Sequence, residues 1–486
     1  MLRAAENGDV RELTRLLKNG NNIEERDEAG FTPLHLAAMN GHEGAVRLLL
    51  EENADMTARN NRGRSPLHMA AMKGHEGAVR LLLEKNADTA AREDAGASPL
   101  HYAALNGHEG VVRLLLENNA DIAARDNDGY SPLHLAAMNG HEGVVGLLLE
   151  KNADIAASTN RGSSPLHLAA KYGHEGAVRL LLENNADAAA RSNYGDSPLH
   201  MAASKGHEGA VRLLLENNAD TGARNIVGRT PLHYAAMNGH RGAVRLLLEN
   251  NANIADTGAS TNAGFSPLHY AAMKGHGGVV RLLLEKNADI VASTIDGFSP
   301  LHHAAHNGHT GAVRLLLEKN ADIAARENRG RSPLHMAAMN GHGGTVRLLL
   351  EKNADIAARD DVGRSPLHMA AMNGHEGVVR LLLENNANIA DTGGSTNAGF
   401  SPLHYAAMNG HKDAVRLLLQ KSADIAAITM RGRSPLHMAA MNGHEGMVRL
   451  LLEKKAAVAA RDDDGASPLQ LAAMNGHEGA VRLMRA

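Results

Sequence analysis

The chain has 486 residues, with 50 Lys and Arg against 54 Asp and Glu, a formal charge of −4 and no cysteine. Near-neutral charge argues against a nucleic-acid protein, whose footprint is a basic excess, and the missing thiols exclude disulfides, Cys-bound zinc, iron–sulfur clusters and a cysteine nucleophile. Aromatic residues make up only 2%, so the core does not rest on large rings.

The chain opens with Met-Leu-Arg-Ala-Ala-Glu-Asn-Gly, which lacks the apolar stretch of a signal peptide. No apolar run reaches the ~20 residues of a membrane helix, and no Asn-X-Ser/Thr acceptor occurs. These features point to an intracellular, cytoplasmic protein without membrane insertion.

All 14 prolines lie in one motif, Ser/Thr-Pro-Leu-His, with Gln replacing His in the last copy. They recur every 33 residues from Pro33 to Pro468, apart from two steps of 36, Pro231 to Pro267 and Pro366 to Pro402. Such a period marks tandem structural units rather than three separate domains. Residues 130–162 show the local logic. Ser131 suits a helix N-cap and Pro132 the first helical position, where a missing N–H costs nothing. Leu133, Ala136 and Ala137 predict a short helix with a small, close-packing face, and Gly140 ends it. His141 and Glu142 open a second helix with Val144, Leu147, Leu148 and Leu149 as its apolar stripe. Asn152, tolerant of positive φ, closes that helix. Residues 153–162 have no helical period and end in a turn-forming glycine. Neither helix is long enough to stand alone in water, so each unit must bury its face on the next, which makes a solenoid. About 15 helix pairs are expected, an array of order 150 Å at roughly 10 Å per helix diameter.

Gly-Tyr-Ser-Pro-Leu-His-Leu-Ala-Ala-Met-Asn-Gly-His, followed by Val-Val-x-Leu-Leu-Leu-Glu-Lys-Asn-Ala-Asp, resembles the ankyrin repeat. The resemblance covers essentially the whole chain. It implies an all-α solenoid of stacked helix-turn-helix units with projecting hairpin fingers, and a concave groove that binds other proteins. Two departures from the usual pattern stand out. Asn86, Asn152 and Asn320 occupy a position that is commonly Gly, and Ala123 and Ala324 one that is often Asn. The expected organisation is a single array over 1–486, with a partial capping repeat at 1–30, interior repeats at 31–465 and a truncated repeat at 466–486. In the first unit Glu6 and Arg15 replace apolar residues, as a cap requires. At the other end Arg485 replaces a Leu while Leu471, Ala473 and Met474 keep the interior pattern. That thin cap leaves two readings open, a whole array or one cut from a longer chain.

Of 29 histidines, 13 lie in Pro-Leu-His and 14 in Gly-His, and only His303 and His306 fall outside the pattern. The repeat histidines read as hydrogen-bonding linchpins between units, in line with the resemblance. The cluster His302, His303, His306 and His309 offers an adventitious metal site as the lesser alternative. Phosphate loops and nucleophile–base pairs are missing: Gly275-His276-Gly277-Gly278 lacks the strand and the Lys-Ser/Thr of a phosphate cradle. A homogeneous array supplies like residues in rows, whereas an active site needs unlike residues converging. No enzyme, cofactor or metal is therefore expected. Arg47–Glu51 and Arg80–Glu84 read as weak i,i+4 pairs on a solvated helix face.

The residue between the turn glycine and the capping Ser/Thr varies most tellingly. It is Phe31, Arg64, Tyr130, Arg229, Phe265, Phe298, Arg331, Arg364, Phe400 or Arg433 in ten of 14 units, and Tyr and Arg are residues that anchor interfaces. By the resemblance this position faces the groove. Tyr194, in a finger, joins these candidates. Another row, Met39, Met72, Met138, Met237, Met273, Met339, Met372, Met408, Met441 and Met474, reads as an adaptable apolar strip. Tyr102, Tyr234, Tyr270 and Tyr405 read as core. Two fingers, starting at Asn253 and Asn388, carry three extra residues each, and their near-identical sequences point to duplication of a block of units. The expected function is a non-enzymatic, monomeric scaffold for another protein, binding in the groove, most densely from Phe265 to Arg433. The alternatives are a sensor or regulatory array from a larger protein, such as a nucleotide-switch protein, and a mechanical spacer.

Overall fold

The computed structural model describes residues 1–256, 264–393 and 398–486; the extra residues of the two long fingers fall largely outside the described residues. The described residues form 30 α-helices and no strand. They alternate as a first helix of seven or eight residues beginning at the motif proline and a second of nine. The opening and closing pairs depart slightly from those lengths. The chain divides into two compact units, residues 1–235 with 242–253, and residues 236–241 with 254–486. No described helix is long and apolar enough to cross a membrane.

Residues 130–162 follow the local chemistry. The first helix, Pro132–Asn139, is capped by Ser131, and Gly140 ends it at φ 75°. His141 leads into the second helix, Glu142–Glu150. Leu133, Ala136, Ala137, Val144, Val145 and Leu148 are at most 1% exposed. Alanine at the contact lets first helices lie close together, which is how this core forms with so few rings. The Asn that replaces the usual glycine has a direct explanation: Asn152 sits at φ 61°, and Asn86 and Asn320 at φ 62° and 63°. Asn is the residue after Gly that best tolerates this left-handed geometry.

In most described units two histidines tie the unit to its neighbours, one forward and one back. The Ser131 N–H donates to His134 Nδ1 at 3.1 Å. With Nδ1 accepting, the proton of a neutral ring sits on Nε2, which therefore donates to the Ser163 carbonyl of the next unit at 3.0 Å. His141 Nε2 reaches back to the Leu105 carbonyl at 2.9 Å. In the second compact unit the forward bond also spans a long finger: His368 Nε2 reaches the Phe400 carbonyl at 3.0 Å, 32 residues on rather than 29. Fingers add a further ladder. Asn160 Nδ2 donates to the Asn127 carbonyl at 2.9 Å, and its N–H to the Asp128 carbonyl at 3.0 Å.

Helix-surface charges pair differently from expectation. Among the described residues no ion pair joins Arg47 to Glu51 or Arg80 to Glu84. Arg380 instead reaches back to Glu376 at 2.6 Å and Arg416 to Asp413 at 3.0 Å. Backward pairing keeps the acid toward the helix N-terminus, the orientation the helix dipole favours.

Two glycines of one unit should respond oppositely to Ala. Gly140 needs its left-handed φ, and a Cβ there would run into the His174 ring, whose Nε2 bonds the Met138 carbonyl at 2.9 Å. Gly146 lies inside the second helix with open space around its Cβ position. Urea unfolding should show Gly140→Ala destabilising by about 2–4 kcal/mol and Gly146→Ala stabilising by about 0.5–1 kcal/mol.

Candidate partner-binding surface

The variable position at each finger base is half-buried in all 14 units. In most of these units its backbone is held from both sides. The side chain four residues earlier accepts its N–H, as Asp27 does from Phe31 at 2.8 Å and Thr294 from Phe298 at 3.1 Å. Its carbonyl accepts the linchpin histidine of the preceding unit, as Phe298 does from His269 at 3.1 Å. Only the side chain is left to vary, so a fixed frame presents a changing row of residues.

Aromatic occupants lie with one edge toward their own unit's linchpin. Ring centroids of Phe31 and His35 are 5.9 Å apart, and those of Tyr130 and His134 6.1 Å. Phe400 stands 5.8 Å from His404 and 5.2 Å from Tyr405. In the second compact unit four rings run together: Tyr270 to Phe265 at 5.2 Å, Phe265 to His303 at 4.8 Å, and His303 to Phe298 at 5.3 Å. Burial, reinforced by His269, His302 and His306, pushes His303 down to about 3, so it remains a neutral aromatic ring. The sequence pattern does not reveal this stack, because there His303 reads only as part of a histidine cluster. That cluster does not converge. His302 Nε2 is committed to the Arg331 carbonyl at 3.1 Å and His309 Nε2 to the Met273 carbonyl at 3.0 Å. Among the described residues no group of three or more side chains could hold a metal ion.

The finger-base arginines are bound to the protein itself. Arg331 meets Glu327 through Nε at 2.9 Å and Nη2 at 3.3 Å. Arg364 meets Asp360 at 2.8 Å, and Arg433 meets Asp462 of the next finger at 3.0 Å. Arg64 donates to the Tyr102 hydroxyl at 2.7 Å and lies over that ring, and Arg229 bonds the Tyr234 hydroxyl. Burial pushes the Glu327 carboxyl up, but the hydrogen bonds from the Arg331 side chain and backbone outweigh it and hold the group below its usual range. The buried acids Glu327, Asp360 and Asp462 are partners of these arginines that sequence reasoning missed. Their signal was a fixed offset from the arginine, four residues before it or 29 after it.

Met39, Met72, Met138, Met237, Met273, Met339, Met372, Met408 and Met441 are all half-buried at the ends of first helices, whereas Met474 is 79% exposed. Tyr270 is buried, while Tyr102, Tyr234 and Tyr405, also read as core, are only half-buried; the hydroxyls of Tyr102 and Tyr234 bond finger-base arginines. Tyr194 stands apart from the row, at a fingertip and 56% exposed. Its carbonyl accepts the N–H of Ile226 at 3.0 Å. An open pocket of about 460 Å³ between the helices Gly343–Glu351 and Glu376–Glu384 is lined by Arg347, Arg380 and Glu384 with several glycines, and by no finger-base residue.

A family model described as ankyrin repeats (3 copies) matches seven successive stretches, 1–93, 89–159, 155–225, 217–294, 291–360, 357–429 and 425–485. The chain belongs to the ankyrin-repeat family. Ankyrin repeats are generally protein-interaction modules and typically carry no catalysis. The comparison with curated proteins finds no match. In this ankyrin array the aromatic residues of the finger bases and the Met row remain partly open to solvent, while Arg331, Arg364 and Arg433 are held by buried acids.

Proposed function

We propose that this ankyrin array is a non-enzymatic scaffold that docks another protein along its finger bases, chiefly between Phe265 and Arg433. In this reading it works as a monomer in the cytoplasm, without cofactor, nucleic acid or membrane insertion. The supporting observation is the row of half-buried Phe, Tyr and Arg side chains at the finger bases, most on a backbone clamped from both sides, with half-buried Met at the first-helix ends. Anchors already held in place lose little side-chain freedom on binding, which favours affinity. Aromatic and arginine side chains are also those whose removal most often costs an interface 2 kcal/mol or more. The test is capture of binding proteins from cell extract by the full chain and by Phe265→Ala/Phe298→Ala. More than tenfold weaker capture with a melting curve within about 2 °C of wild type is the expected result. Unchanged capture with a lowered melting point would assign both rings to structure.

A further inference from the structure

We infer that Met339 and Met441 are two reversible oxidation sites, each of which would place a polar group in the apolar strip of the second compact unit. Two observations carry this. The first is a contrast within single helices. In Pro333–Met339 and Pro435–Met441, Met336 and Met438 are each 1% exposed, whereas Met339 and Met441, three residues later, are half-buried. The later methionine of each helix is thus partly open to a dissolved oxidant, and the earlier one is closed to it. The second is the neighbour of the reachable sulfur. Arg331 Nη1 donates to Met339 Sδ at 3.8 Å, and Arg433 Nη1 to Met441 Sδ at 3.8 Å. Nε of each guanidinium is already fixed by a buried acid, Glu327 or Asp462, so Nη1 stays aimed at the sulfur.

The chemistry is a two-electron oxidation of the sulfur by a hydroperoxide, which delivers the oxygen. The thioether sulfur gains one oxygen and becomes the sulfoxide, the O–O bond breaks, and hydrogen peroxide leaves as water. A thioether is a weak acceptor, and a sulfoxide oxygen is a far stronger one. The added oxygen finds a charged N–H donor beside it, while the bonds from Arg331 to Glu327 and from Arg433 to Asp462 are left in place. Oxidation at these positions is thus accommodated, whereas at Met336 or Met438 it would bury an unpaired polar oxygen. With no cysteine in the chain, methionine is the only sulfur available for such a response. Any effect on docking rests on the function proposed above; the modification itself does not.

Full-length protein exposed to hydrogen peroxide and followed by peptide mass mapping should show Met339 and Met441 converted at least tenfold faster than Met336 and Met438. Equal rates within each pair would overturn the proposal, since they would mean that oxidation waits on unfolding. A mixture of the two methionine sulfoxide reductases, one for each epimer, should restore both residues, and failure to do so would remove the reversibility. Glutamine serves as a stable mimic of the sulfoxide. Met339→Gln should melt within about 2 °C of wild type and Met336→Gln at least about 5 °C lower; equal losses would refute the receiving role of Arg331. None of these measurements involves a partner, so their failure is distinguishable from failure of the docking reading.

Discussion

Lowering the pH from 7 to 4.5 is expected to unfold this ankyrin array, and the linchpin histidines are the cause. Burial holds His68, His134, His200, His269, His335 and His404 at about 4, against an ordinary value of 6.5. A second proton on the ring would place Nδ1–H against the N–H of the capping residue, which now donates to that nitrogen at 3.0–3.2 Å in His68, His200 and their counterparts. Because the folded value lies below the unfolded one, the unfolded chain takes up more protons throughout the interval. The contribution is complete above about 6.5 and is lost as pH falls toward about 4. At pH 4.5 each such histidine has given up about 2.5 kcal/mol, and the loss is felt at several interfaces in both compact units at once. Circular dichroism at 222 nm followed through the titration should show cooperative loss of helix above pH 4.5, before most exposed carboxylates are protonated. The control is already built into the chain. Gln470 takes the histidine's place in the last motif, and its Oε1 accepts the Ser467 N–H at 2.8 Å. Replacing His335, His368 and His404 by Gln should lower stability at pH 7 and flatten the acid transition of the second compact unit. A transition that keeps its midpoint and steepness would mean that other groups drive it.

Removing Glu327 should be among the most damaging single substitutions at the finger bases. Its carboxylate accepts the backbone N–H groups of Arg329 and Arg331 at 3.0 and 3.1 Å as well as the Arg331 side chain, and Glu327 is 5% exposed. Glu327→Ala strands a half-buried guanidinium and two backbone donors together, a loss of about 3–5 kcal/mol. Replacing both members, Glu327→Leu with Arg331→Leu, should recover most of the guanidinium's share, because the charge and its counter-charge leave together. Urea titrations of the single and double variants measure the coupling. A double variant as unstable as Glu327→Ala would show that the acid acts mainly by closing the finger turn. A stable double variant that no longer captures a partner would separate recognition from stability at Arg331.

The fold was legible because each unit writes its own boundaries. Ser131, Pro132, Gly140 and Asn152 act through bonds within a few residues, and such rules survive without knowledge of the neighbours. The linchpin role of the histidines was legible from their regularity, since a residue recurring at every unit must meet something else that recurs. The candidate surface was legible only as a set of positions. Which partners the arginines take depends on side chains elsewhere: Arg64 turns to Tyr102, 38 residues on, while Arg331 folds back on Glu327. The ring stack through His303 could not be read either, because it needs Phe265 and Phe298 from two units to close on a histidine that breaks the pattern. Composition marked these residues as candidates, and only packing shows whether they are held, covered or open.

The bond from His368 to the Phe400 carbonyl has a consequence for how such a protein diversifies. Although the intervening chain is three residues longer, the ring lands on the equivalent carbonyl, so the rungs do not feel the length of what hangs between them. New material can thus be spliced into a tip without shifting the stack. A longer connection between one rung and the next can therefore leave the histidine's grip in register, as His368 shows.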